Sequence, residues 1–390
     1  MRNVVVLGST GSIGRQALEV IEANPDRFCV VGLAAGGNHL ELLAEQVRRF
    51  QPTLVGVPTD NSDAADRPVL DELDPQGTVR ITGPNANEEL AAMEDADVVL
   101  NAITGAAGLL ATLAALKAGK TLALANKESL VIGGALVTQA ASPGQLVAVD
   151  SEHSAIAQAL RSGRANEVRK VILTASGGPF RGMTRAQLAD VTPEQAMHHP
   201  TWNMGRVITI NSATLVNKGL ELLEASLLYG VALEDIEVVV HPQSVVHSGV
   251  EFNDGATILQ ASPPDMKLPI GLALAWPERL ADVARPCDWS VGATWTFEPL
   301  DEQAFPAVNL ARRAGQSGGT APAVFNAANE VAVDAFCAGE IGFVGITDVI
   351  ASVLEEHLSG NSGAELTVES VMEADVWARH AARLSISRLQ

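Results

Sequence analysis

Acidic residues at short spacing are the first feature of this sequence that can do chemistry. Asp150 and Glu152 close an apolar run in the string Val149-Asp150-Ser151-Glu152-His153. In extended chain, residues i and i+2 point the same way, so both carboxylates can be presented to one point. Carboxylates brought that close repel, and a hard divalent cation such as Mg2+ or Mn2+ holds such a pair together. Solvated loop charges would give the same string, since exposed Asp and Glu are the norm. A third carboxylate is offered by a helix expected over 213–229, with Asn211-Ser212 as its start signal and Gly230 as its stop. At 3.6 residues per turn Asn217, Lys218 and Glu221 share a face, opposite Val216, Leu220, Leu223 and Leu227. Glu221 then stands beside a cation and an amide donor, a combination suited to a pocket for metal and phosphate. A surface Lys–Glu pair at i,i+3 would look the same from sequence.

Two further strings offer matching chemistry. Thr174-Ala175-Ser176-Gly177-Gly178 follows a strand and presents a hydroxyl and accessible backbone N–H groups to an anion. His199-Pro200-Thr201-Trp202-Asn203-Met204-Gly205 combines an imidazole, an aromatic wall and a flexible end, which reads as an active-site lid. A nucleotide end is marked by Gly8-Ser9-Thr10-Gly11-Ser12-Ile13-Gly14, between the first strand and a helix. Glycines there let the backbone approach a pyrophosphate that the helix N-terminus stabilises. The spacing is GxxGxxG, not the GxGxxG fingerprint. The end of the second strand reads Ala34-Ala35-Gly36-Gly37-Asn38, without the carboxylate that binds a ribose 2′-hydroxyl, which points to NADP over NAD. Short-chain dehydrogenases and sugar epimerases also use GxxGxxG, but they need a Tyr-x-x-x-Lys pair. The one tyrosine, Tyr229, has Leu233 four residues on, so that pair cannot be built.

These groups must be held by more than one core, because 390 residues exceed what a single core usually serves. The first 150 residues alternate short apolar runs with helical stretches. Strands are expected at 3–7, 29–34, 53–57, 98–102, 121–125 and 146–149, with helices at 13–23, 40–50, 109–118 and 130–140. Continuous apolar strands separated by helices make a parallel sheet covered on both faces. The acidic stretch 58–77 reads as a surface insertion. Beyond Asp150 come strands at 168–174, 236–240, 244–251 and 256–260, some of them antiparallel. Residues 286–312 read as an extended connection, and helices are expected at 323–337, 346–357 and 368–384. The fold class is therefore α/β: a Rossmann-like domain over 1–149, an α+β catalytic domain over 150–285, a linker over 286–312 and a helical domain over 313–390.

A formal charge of -20 repels nucleic acid and anionic membrane, so neither is expected as a partner. The uncharged run Val98–Leu116 is long enough to cross a bilayer, but Asn101, Thr104, Gly105 and Gly108 break it into a strand, a turn and a helix. Scattered Cys29, Cys287 and Cys337, with no CxxC, fit reduced thiols, and the N-terminus shows no targeting segment, so a cytoplasmic location is expected.

The strings GSTGSIG, AITGAAGL, ANKESLV, VDSEHSAI, TASGGPF, HPTWNMG, NSATLVNKGLE, HPQSVVHS, PPDM and FNAANE, in this order, resemble the 1-deoxy-D-xylulose 5-phosphate reductoisomerase family over nearly the whole chain. The resemblance implies NADPH, a divalent cation (Mg2+, Mn2+ or Co2+), a homodimer, and reduction of a rearranged keto-sugar phosphate for isoprenoid precursors. It implies Asp150, Glu152 and Glu221 as metal ligands, and Lys127, Glu152 and His199 as the catalytic candidates. Substrate positions would be Lys127, Ser151, Glu152, Ser176, His199, Trp202, Ser212, Asn217, Lys218, Glu221 and Met266. Cofactor positions would be Thr10, Gly11, Ser12, Ile13, Gly36, Asn38, Asn126, Glu128, Met204 and Gly205. Some members carry a lysine where this chain has Gly37, so a partner for the NADP 2′-phosphate is missing there. An NADP-dependent oxidoreductase of the aldehyde or homoserine dehydrogenase type is the alternative, and it would not need the three carboxylates. A nucleotide-sensing regulator would bind NADPH without consuming it.

Overall fold

The computed structural model describes residues 1–58, 79–202, 205–360 and 365–389. Their contacts form two compact units: Met1–Ser129 with Val137–Ser154 and Asp265–Ala284, and Leu130–Leu136 with Ala155–Pro264 and Arg285–Gln390.

The first unit is built on a parallel sheet of seven strands among the described residues: β1 (Arg2–Leu7), β2 (Phe28–Ala34), β3 (Leu54–Val57), β4 (Val79–Thr82), β5 (Val98–Asn101), β6 (Thr121–Leu124) and β7 (Leu146–Ala148). Val4, Val5, Val6, Leu7, Val98, Val99 and Leu100 are completely buried, which is why these strands read as unbroken apolar runs. Helices Ser12–Glu22, Leu40–Phe50, Ala86–Ala91 and Leu109–Lys117 connect them. The order β4-β3-β2-β1-β5-β6-β7 reverses direction between β1 and β5. At such a switch point the loops leaving the two strands diverge and open a crevice at their carboxyl ends. The turn Gly8–Gly14 follows β1 there.

Residues 265–284, expected with the catalytic region, pack instead in this first unit. The reason is apolar burial: Ile270, Ala273, Leu274 and Ala275 of the Lys267–Ala275 helix join the sheet's core. Arg2 donates to the carbonyls of Leu274 (3.1 Å) and Trp276 (2.9 Å), and Lys267 pairs with Glu19 at 2.6 Å.

The second unit carries β8 (Val168–Ala175), β9 (Ile236–Val240), β10 (Val246–Phe252), β11 (Thr257–Ala261) and β12 (Glu298–Pro299) in the order β11-β10-β8-β9-β12. Only the β8–β9 pair among them is parallel, so the expectation of antiparallel members holds. Helices Ala307–Ser317, Ala321–Cys337, Phe343–Gly360 and Val368–Ser387 follow. Gly219 explains how tightly the Val216–Tyr229 helix meets them: a Cβ there would stand 2.8 Å from Ala311 Cβ and 3.1 Å from the Ala307 carbonyl.

Several elements differ from expectation. The segment 286–312 is not wholly extended, because the Ala307–Ser317 helix starts inside it and buries Ala307, Val308, Leu310 and Ala311. The expected helix 130–140 is two, Lys127–Gly133 and Ala135–Ala140, parted at Gly134, whose φ of 47° leaves the helical region. The expected helix 213–229 starts at Val216, because Leu215 adopts a left-handed φ of 61° and buries its side chain. Asn211 and Ser212 therefore end a preceding helix, Arg206–Ala213, and do not cap the longer one. Val98–Leu116 is β5, a short 3-10 turn and a helix, and no helix among the described residues is long and apolar enough to cross a membrane. Of the stretch 58–77, only Pro58 lies within the described residues.

The nucleotide-type turn is shaped by contact as well as by φ. A Cβ on Gly14 would lie 2.3 Å from the Gly8 carbonyl oxygen and 2.6 Å from Ser9 Cα, whereas one on Gly36 would meet nothing within 4 Å. Gly14→Ala is expected to destabilise the protein by about 1–3 kcal/mol, as overpacking against backbone does, while Gly36→Ala leaves stability unchanged. Denaturant unfolding checks this, and equal midpoints for the two variants would contradict it.

Candidate active site

The carboxyl ends of the first unit's strands gather most of the residues expected at a cofactor. Thr10, Gly11, Ser12 and Ile13 form the turn after β1 and open the Ser12–Glu22 helix, with Gly11 as its N-cap. No side chain caps that end, the arrangement in which a helix N-terminus can receive an anion. Gly36 and Asn38 follow β2 and are exposed. Asn126 and Glu128 follow β6. Asn126 is 2 % exposed, and its amide is fully engaged within the fold. Its nitrogen donates to the carbonyls of Gly105 (2.9 Å) and Ile103, and its oxygen accepts from the Ser129 N–H (2.7 Å) and hydroxyl. With two donors and two acceptor positions used, the side chain works as a brace between two loops. Met266, expected near the substrate, is the N-cap of the Lys267–Ala275 helix and leans on the first unit's core. Gly205 is the exposed N-cap of the Arg206–Ala213 helix. Met204 lies outside the described residues.

Asp150 ends the segment after β7, and Ser151–Ala159 is a helix where extended chain is expected from the sequence. The i,i+2 alternation of a strand is therefore not what brings Asp150 and Glu152 together. Asp150 acts as a cap: its Oδ1 accepts the Glu152 N–H at 3.2 Å, and its carbonyl accepts the Ser154 N–H at 2.9 Å. The first helical turn carries Glu152 back toward the cap. Lys127 Nζ lies 2.6 Å from Asp150 Oδ2, both side chains being about 15 % exposed or less, so Coulomb attraction is weakly screened there. The Ser151 hydroxyl donates to Glu152.

The Val216–Tyr229 helix presents no ordinary solvated face. Lys218 and Glu221 are 4 % and 1 % exposed, and Lys218 Nζ and the Asn217 amide both donate to the Glu221 carboxylate. A buried ion of either sign is costly unless paired and hydrogen-bonded, and each of these partly satisfies the other. Ser212 sits in the last turn of the Arg206–Ala213 helix. A Cβ on Gly178 would lie 3.0 Å from the Ser212 carbonyl, so the glycine loop after β8 runs against that turn.

In the same unit Ser176 meets His199, Oγ to Nε2 at 3.1 Å, and Ser176 Oγ accepts the Gly178 N–H at 3.2 Å. His199 Nδ1 accepts from the backbone N–H groups of Thr201 (3.1 Å) and Trp202 (2.9 Å). Burial lowers the His199 imidazole from its usual 6.5. Folding thus favours the neutral ring, a contribution present above the ordinary value and lost as pH falls through the lower folded one. Trp202 lies 6.4 Å, centroid to centroid, from the His247 ring, and His247 Nε2 is 3.0 Å from the Ser262 carbonyl. His247 lies in the string HPQSVVHS and carries no chemical motif of its own in the sequence. Its position within the buried run of β10 is the signal that could have found it.

Asp150 and Glu152 in the first unit and Glu221 in the second each offer a carboxylate oxygen to a metal ion. Three hard oxygen donors fit Mg2+ or Mn2+ better than the nitrogen- and sulfur-rich sets preferred by zinc.

Known proteins resemble this chain over nearly its whole length. Family models described as 1-deoxy-D-xylulose 5-phosphate reductoisomerase match residues 4–134 and, as its C-terminal domain, 146–229, and a DXP reductoisomerase C-terminal domain model matches 261–381. The reductoisomerase of Cutibacterium acnes is 63 % identical over 398 residues, covering 98 % of each chain. The enzyme of Zymomonas mobilis, solved in complex with NADPH, superposes with a TM-score of 0.90 at 42 % identity over 99 % of each chain. A DOX-P reductoisomerase solved with NADPH, fosmidomycin and magnesium gives 0.91 at 36 % identity over 100 % of this chain and 99 % of the other. With this extent and degree of likeness, the chain belongs to the 1-deoxy-D-xylulose 5-phosphate reductoisomerase family.

Proposed function

We propose that the chain converts 1-deoxy-D-xylulose 5-phosphate to 2-C-methyl-D-erythritol 4-phosphate, a step toward isoprenoid precursors, using NADPH and a divalent cation. The observation that carries this reading is the set of three hard oxygen donors that Asp150, Glu152 and Glu221 offer for one cation. An oxidoreductase of the aldehyde or homoserine dehydrogenase type has no use for such a group. The uncapped helix end after β1 and the Gly8–Gly14 turn suit a dinucleotide pyrophosphate. The structures of relatives solved with NADPH and magnesium support both cofactors.

In this reading residues 1–149 hold NADPH, the middle of the chain holds substrate and metal, and the C-terminal helices buttress the substrate segment. Asp150, Glu152 and Glu221 hold the cation, which when bound supplies Lewis acidity to the oxygens of the keto-sugar. Bound NADPH supplies the reducing equivalents. Thr10, Gly11, Ser12 and Ile13 receive the pyrophosphate, Gly36 and Asn38 the adenosine side, and Glu128, Met204 and Gly205 the remainder, with Asn126 bracing the loops beside them. Ser176, Ser212, Asn217 and Lys218 grip the phosphate. Ser151, Glu152, Met266 and His199 line the sugar. Lys127 Nζ, held 2.6 Å from Asp150, keeps a proton beside the reacting oxygens. Trp202 closes over the sugar and excludes water, which strengthens every charge interaction inside.

A homodimer in the cytoplasm completes the proposal. The edge strand β11, with Ile258 and Leu259 38 % and 40 % exposed, supports pairing with a second copy. The free thiols of Cys29, Cys287 and Cys337 support a reducing compartment.

NADPH oxidation by the purified protein with the deoxyxylulose phosphate and Mg2+ tests the reaction, and a chelator is expected to abolish it. Glu221→Gln should lower kcat at least about 100-fold, more than outer-shell changes usually cost, with NADPH affinity retained; wild-type turnover in chelator would refute the metal assignment. Lys218→Gln, which keeps a hydrogen bond to buried Glu221, should raise KM for the phosphorylated sugar roughly 10- to 150-fold, the worth of one bond to a charged group. A collapse of kcat at unchanged KM would instead move Lys218 into the chemistry.

A further inference from the structure

We propose that Gln46 is a positioning residue for the cofactor: from the buried face of the Leu40–Phe50 helix its amide holds the Ser9 carbonyl inward, and the Thr10 N–H is thereby turned toward the pyrophosphate. The inference rests on the reading above in taking the turn after β1 as the place where NADPH is received.

Gln46 is a polar residue where the helix pattern calls for an apolar one. It shares the buried face of its helix with Leu40, Leu43, Ala44 and Val47 and is 6 % exposed. A hydrocarbon side chain would fill that place without desolvating an amide. Gln46 Nε2 instead donates to the Ser9 carbonyl at 2.9 Å, across 37 residues of chain. Among the described residues its Oε1 and the Ser9 hydroxyl oxygen, both buried, have no partner. What the glutamine contributes here is one donor, aimed at one carbonyl.

The turn shows why that carbonyl matters. The peptide groups on either side are fixed by backbone bonds. The Gly8 and Ser9 N–H groups both donate to the Ala34 carbonyl at 2.9 Å, the Gly11 N–H donates to the Gly8 carbonyl at 3.0 Å, and the Gly11 carbonyl accepts from Arg15 at 3.0 Å. The Ser9–Thr10 peptide is fixed by Gln46 instead. It is trans, and in a planar trans peptide the C=O and N–H point in opposite directions. Drawing the Ser9 oxygen toward the helix therefore drives the Thr10 N–H away from it. Loss of the donor frees this peptide plane to rotate, and a backbone N–H recognises phosphate only when it is already aimed.

Gln145, in the same unit, makes a comparable bond far from the turn. It is 8 % exposed, its Nε2 donates to the Leu116 carbonyl at 2.8 Å, and it immediately precedes β7, at the amino ends of the parallel strands. It separates an effect on folding from an effect on the cofactor.

Titration of NADPH into the full-length protein without substrate, followed by nicotinamide fluorescence, compares Gln46→Met with Gln145→Met. Both variants are expected to unfold at lower denaturant. Gln46→Met should weaken NADPH about three- to tenfold, the worth of one neutral hydrogen bond, and Gln145→Met less than about twofold. In turnover the Gln46→Met loss should appear in KM for NADPH and not in KM for the phosphorylated sugar. Gln46→Leu, which also lacks the donor, gives the same comparison if the methionine variant does not fold. Wild-type NADPH affinity without the Gln46 donor, or equal losses at positions 46 and 145, would assign Gln46 to folding alone and overturn the proposal. Wild-type protein that binds no NADPH would refute the reading on which the proposal rests, and the proposal with it.

Discussion

A carboxylate with 1 % of its surface exposed is the constraint on which the second unit depends. A charge on Glu221 is costly in that environment without donors, and Lys218 and Asn217 supply them from the same helix. The helix must therefore be held rigidly, and it is: Gly219 lets it press against the Ala307–Ser317 helix, and Leu220, Leu222 and Leu223 bury its remaining surface. Leu215, in its left-handed conformation, ends one helix and starts the next, so that Ser212 and Asn217 come from two differently directed turns. A single continuous helix would have strung these residues along one axis.

The first unit is governed by a different constraint. Its sheet is buried on both faces, so sequence there encodes mainly hydrophobicity, and the chemistry is confined to the loops at the strands' carboxyl ends. Those loops are braced by backbone and amide hydrogen bonds. Asn101 ties Gly108, Thr112 and Ile103 together, and Asn126 ties the 103–105 loop to Ser129. Lys127 and Asp150 follow the ends of β6 and β7, neighbouring strands of that edge, and meet as an ion pair. Rigid scaffolding with exposed glycine turns is what a dinucleotide needs, because phosphate recognition relies on backbone N–H groups that must already point the right way.

Histidine tautomers link the architecture to the chemistry. His199 and His241 are each fixed by two backbone N–H groups, but on opposite ring nitrogens. One ring faces a serine hydroxyl, the other a carbonyl. The same residue type thus meets a hydroxyl or a carbonyl according to which nitrogen the local turn occupies.

Much of this is legible in the chain itself, for identifiable reasons. Buried strands announce themselves as apolar runs, so β1, β2, β5 and β6 can be read to within a residue or two, and the helix 40–50 stands where its pattern puts it. Strings of glycine, hydroxyl and charged residues identify the family and the three carboxylates. What sequence could not decide is geometry that depends on distant partners. β4 is a four-residue edge strand that owes its existence to pairing with β3. The Ser151–Ala159 helix escapes notice because Ile156 is its one large apolar side chain, too few to mark a helical stripe. From sequence the Lys218–Glu221 pair, suited to a pocket, is indistinguishable from surface decoration at i,i+3, and only the packing of the surrounding core makes it buried. Local propensity is a property of neighbours in sequence, whereas burial, charge pairing and tautomer are set by neighbours in space, and those only the folded chain assembles.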